Sequence, residues 1–127
     1  MDHRIQRLGR HLFWLLLPVA CTQQYVPPAD GRVSVIDLVM FPSAYEEKSV
    51  ASYGYLTLDP TNGGGTLFFQ KDHAARRGER FALPVQFTPD ADRTRVERCN
   101  GQEVLMRGTL TRTATGHALV SGSDLVC

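Results

Sequence analysis

The sequence predicts a mainly β domain: five strands around one small core, one short N-terminal helix ahead of them, and a cleaved export signal before that. Three observations carry this. Residues 1–21 divide into a basic stretch, a nine-residue apolar run and a cysteine. From residue 49 onward, short apolar and β-branched runs are separated by turns rich in Gly, Pro and Asn, which is strand spacing. The 127 residues suffice for one domain plus a leader.

The chain is 43% hydrophobic and 21% charged, which excludes a disordered polar chain. Its net charge of +1 is unevenly spread. Arg4, Arg7 and Arg10 against Asp2 give residues 1–20 a charge of +2. The other 11 basic and 12 acidic groups leave −1 on the rest. A domain so near neutrality has no global field to draw it to nucleic acid or anionic lipid, so such binding needs a local patch.

Residues 12–20 (LFWLLLPVA) form an uncharged run behind the basic residues 1–11. A spanning helix needs about 20 apolar residues, so the run is too short to span and fits the apolar zone of a secretory signal. Leu17-Pro18-Val19-Ala20-Cys21 resembles the lipobox of bacterial lipoproteins, with small Ala20 and aliphatic Val19 before the cysteine and Pro18 where Leu is usual. The resemblance implies that residues 1–20 are removed and that Cys21 takes fatty acyl chains, palmitate included. Each buried methylene contributes ~0.8 kcal/mol, so several chains make a stable membrane anchor. Thr22, being other than Asp, implies the outer membrane, facing the periplasm. Plain cleavage after Ala20, releasing a soluble periplasmic protein, stays open as the alternative.

Three cysteines are an odd count for an oxidising compartment. With Cys21 lipidated, Cys99 and Cys127 remain as a candidate disulfide pair. Free thiols, or half of a metal site, are the alternatives. No C-x-x-C or paired-His spacing accompanies them, so no metal ligands and no cofactor are expected.

Residues 21–32 read as the lipidated terminus and a semi-stiff tether containing Pro27-Pro28, and residues 33–127 as the domain. Ser34 opens a short helix with Asp37 three residues on, as in a capping box, until Pro42 interrupts it. A strand is the rival there, because Val33, Val35 and Val39 are β-branched. Strands follow over residues 49–58, 66–70, 81–87, 102–113 and 117–126, the last two as a terminal hairpin. Residues 59–65 (DPTNGGG) are a turn, 71–80 a charged connection with one helical turn ended by Gly78, and 88–93 a loop. Pro84 confines its strand to an edge or a bulge, and Gly54 marks a bulge or bend.

Pro42-Ser43-Ala44-Tyr45, the Lys48 turn, Val50–Gly54–Leu56, and Asn100-Gly101 followed by Val104–Gly108–Leu110 resemble small bacterial OB-fold domains. These repeat a V-x-x-x-G-x-L strand, and Glu47 stands where their turn often has Gly. The resemblance implies a five-stranded barrel that binds oligonucleotides, oligosaccharides or proteins.

Chemistry is sparse. His73 and His117 read as solvated surface residues, no nucleophile elbow or phosphate loop is present, and no carboxylate pair stands out, so no catalytic residue and no enzyme activity is expected. The candidate binding surface is Tyr53, Tyr55, Arg76, Arg77 and Arg80; Phe68 and Phe69 are further aromatics able to stack. Arg93, Arg95 and Arg98 form a second basic connection. The function expected is a membrane-anchored envelope lipoprotein whose barrel contacts a protein partner in an envelope assembly. The alternative is an OB-type module for an oligosaccharide or single-stranded nucleic acid, the latter scarce outside the cytoplasm.

Overall fold

The computed structural model describes residues 32–127; the segments expected to be a signal and a tether, and Cys21 as the expected lipidation site, lie outside the described residues. In chain order the elements are α1 (Val35–Met40), α2 (Pro42–Tyr45), β1 (Ser49–Leu58), β2 (Gly65–Phe68), α3 (Lys71–Ala74), β3 (Ala82–Phe87), α4 (Arg93–Arg98), β4 (Gln102–Thr113), β5 (Gly116–Ser121) and β6 (Leu125–Val126). Pairing runs β1-β2-β3-β5-β4, and β4 returns to β1. The β3–β5 contact is parallel and the other contacts of the closed ring are antiparallel. The domain is therefore mainly β, a closed five-stranded mixed barrel of the OB type, as predicted.

The two V-x-x-x-G-x-L segments face each other. In the β1–β4 ladder Val50 pairs with Gly108, and Gly54 with Val104. Each glycine sits one residue before its strand gains a second neighbour, β2 from Tyr55 and β5 from Thr109. A Cβ at Gly54 would lie 2.5 Å from the Phe68 carbonyl oxygen, and one at Gly108 2.6 Å from that of Val120. The glycines mark where backbones approach too closely for a side chain. Val50, Leu56, Val104 and Leu110 fill the interior between them, with Leu67, Leu83, Met106 and Leu119.

Ser34 caps α1, its Oγ accepting from the Asp37 amide at 3.1 Å, and Val35 and Leu38 are fully buried. This settles the helix–strand choice for helix. Pro42 ends α1 and starts α2, which buries Tyr45. Glu47 then adopts φ 61, the left-handed conformation that explains why related turns carry glycine.

Several expectations need correction. Among the described residues there are four short helices: α1 as expected, α3 within the expected helical turn of residues 71–80, and α2 and α4 in addition. Residues 93–98, read as basic connection, form α4; Asp92 caps it by accepting from the Arg95 amide at 3.3 Å. With Val96 its one buried side chain, α4 shows no apolar periodicity to read. The final strand splits, because the chain turns at residues 122–124 and β6 pairs with Leu105 and Met106 of β4. β3 lies between β2 and β5 rather than at an edge. Pro84 is tolerated because pairing with β5 starts only at Val85. Cys99 and Cys127 are joined in a disulfide, Cα atoms 5.7 Å apart, tying β6 to the end of α4.

Candidate functional site: an apolar groove over β1, β4 and β6

Side chains alternate across a strand and directly paired residues share a face. On the outer face, Tyr53 of β1 pairs with Leu105 of β4, and Leu105 pairs with Val126 of β6. This makes one apolar row across three strands. Tyr53 is 58% exposed and Val126 63%. Phe69, just past β2, is also exposed. With Gly54, Glu103, Val104 and Cys127, these residues line a groove of ≈ 470 Å³.

Apolar side chains gathered on an exposed wall make this groove the candidate contact surface. Its charge is simple. Glu103 is the one charged side chain lining the groove, and among the described residues it has neither an ion pair nor a side-chain hydrogen bond. Arg107, next outward on β4, lies 3.5 Å from Asp124.

The sequence-named residues divide. Tyr53 lines the groove, at one end of its apolar row. Tyr55 shares its face but is half-buried, in register with Phe68 and Glu103. Arg76, Arg77 and Arg80 are exposed on the connection after α3 and do not line the groove. Leu105, Val126 and Glu103 were missed, since strand pairing alone brings them beside Tyr53. The one available signal was Cys127, whose pairing with Cys99 returns the chain end to the barrel.

A second depression, ≈ 500 Å³, lies over β2 and β3 beside the residue 59–65 turn, lined by Asn62, Gly63, Thr66, Pro84, Gln86 and Phe87 among others. Small and polar groups dominate it. The Phe87 ring is covered by the Arg93 guanidinium, 5.7 Å from its centroid. The Asp59 carboxyl at its rim is held below its ordinary value by the Thr61 hydroxyl and then the Thr61 amide.

Both histidines depart from expectation. His73 is buried, because α3 folds it beneath Phe69, ring centroids 5.9 Å apart. Its Nε2 meets Gln70 Nε2 at 3.1 Å, and its Nδ1 lies 3.7 Å from Glu79. His117 is half-buried. Its Nε2 lies 3.1 Å from Glu46 Oε1, which also accepts from Arg112 Nε at 2.8 Å. The His117 contact first, and Arg112 second, hold the Glu46 carboxyl below its ordinary value. Among the described residues no group of three His, Cys, Asp or Glu could hold a metal ion.

No protein-family model and no curated protein matches the chain. Among solved structures it is similar to a protein from Leishmania major Friedlin assigned as an aspartyl-tRNA synthetase, with TM-score 0.51 and 11% identity. That match covers 82% of this chain and only 22% of the other. A second similar structure is the hypothetical protein ygiW from E. coli, TM-score 0.49 and 9% identity, covering 83% of this chain and 98% of that one. The first likeness supports the fold alone, and the second is too weak to add to it. Neither bears on activity.

Proposed function

We propose that this chain is a non-enzymatic envelope lipoprotein, anchored through Cys21 in the outer membrane, whose barrel holds a partner protein in the Tyr53–Leu105–Val126 groove. The observation that carries the contact reading is that continuous apolar row on the outer wall, with Tyr53 and Val126 more than half exposed. Aromatic and aliphatic side chains gathered in one recess are typical of a protein interface core. The anchor reading rests on the lipobox-like segment before Cys21 and on the Cys99–Cys127 pairing, which leaves Cys21 as the odd cysteine.

An oligosaccharide is the second reading, favoured by the exposed Tyr53 and Phe69 rings beside the Glu103 carboxylate. Single-stranded nucleic acid is disfavoured, because it needs a basic track along its backbone and the groove's charge is negative.

Two assays test the proposal. Metabolic labelling with palmitate should mark the wild-type chain and not Cys21→Ser. Pull-down from detergent-solubilised envelope should recover a partner with wild type and lose it with Tyr53→Ala. Retention on glycan or single-stranded DNA with no protein recovered would overturn the contact reading.

A further inference from the structure

We infer that the groove selects an extended partner segment that places apolar side chains on Tyr53, Leu105 and Val126 and a lysine or arginine against Glu103. This rests on the protein-contact reading and names the partner's chemistry. Glu103 is exposed and unpaired on the groove wall, while the nearest cation along the outer face of β4, Arg107, already faces Asp124. The groove's unmatched charge is therefore negative. A cationic side chain gains attraction there, and an acidic one is repelled.

The register supplies the spacing. Tyr55–Glu103 is the row next to Tyr53–Leu105–Val126, two residues along the strands. An extended segment lying along β4 would bring successive same-face side chains over these rows at the same two-residue step. An apolar residue and a basic residue at i and i+2 therefore fit.

The test uses the purified full chain and two fluorescent hexapeptides, otherwise serine, one with leucine and lysine two positions apart and the other with leucine and glutamate so placed. An exposed pair of this kind is worth ~0.2–1 kcal/mol, so the lysine peptide should bind about three-fold tighter at low salt. Glu103→Lys should reverse the order, and high salt should level it. Tyr53→Ala should weaken both peptides. Equal affinity for the two peptides, or a preference that Glu103→Lys leaves unchanged, would overturn the inference. Loss of the envelope partner by Tyr53→Ala is scored separately, so the contact reading can stand when the charge rule falls.

Discussion

The groove over β1, β4 and β6 and the depression over β2 and β3 are close in volume, ≈ 470 and ≈ 500 Å³, yet they are built from opposite materials. In OB-type barrels the strand 2–3 face is the customary ligand surface. Here the depression on that face is lined by Thr66, Pro84 and Gln86, and the one aromatic ring lining it, Phe87, is covered by Arg93. The exposed Tyr53 and Phe69 rings and the exposed Val126 side chain line the other groove. A shared fold thus leaves the position of the site open, and the side chains decide it.

The largest expected effect separates the two regions directly. The Cys99–Cys127 bond spans a sequence separation of 28 residues, and in the chain-entropy model such a closure stabilises by about 3–4 kcal/mol. Reduction, or Cys127→Ser, should lower Tm by more than 10 °C. Because Val126 and Cys127 wall the groove, amide exchange should rise in β6 well before β3. Equal loss of protection in both would mean that the two regions stand or fall together.

Gly54→Ala comes next. Its Cβ would meet the Phe68 carbonyl at 2.5 Å, backbone that cannot yield cheaply, so a loss of about 1–3 kcal/mol is expected. Denaturant unfolding measures it. A neutral result would mean that β1 and β2 can part without cost.

Two substitutions outside both concavities serve as controls for binding. Glu47→Gly relieves the left-handed φ of 61 and should stabilise by about 1 kcal/mol, seen as a Tm rise of a few degrees. Glu46→Gln removes a carboxylate whose pKa is lowered from 4.5 by His117 and then Arg112. The stability this gives is present above the ordinary value and is lost as pH falls through the lowered folded one. Wild type should therefore exceed the variant at neutral pH in a thermal melt, with the gap closing in acid. Neither change should alter what the groove binds.

The long strands were legible because their signals are local. Val50–Gly54–Leu56 and Val104–Gly108–Leu110 already contain the two close approaches that shape β1 and β4, and Ser34 announces its cap. Where the outcome depends on pairing between distant segments, the sequence was silent. Leu105 and Val126 are 21 positions apart in the numbering and meet only through the β4–β6 register. His73 lies in a charged run, and only the one-turn α3 folds it beneath Phe69. Tyr53 was named as an aromatic able to stack, alongside Tyr55, which proves half-buried, and with Arg76, Arg77 and Arg80, which the fold keeps out of the groove.

The central claim is that the partner meets the Tyr53 wall and not the β2–β3 wall. A photo-crosslinking amino acid placed at position 53, and separately at the exposed Gln86 of β3, tests this in intact cells. Both substitutions are on the surface and should leave stability within about 0.5 kcal/mol. A discrete protein adduct from position 53, absent from position 86, is the expected result. Adducts from position 86 alone would contradict the account and return the site to the customary face of the barrel.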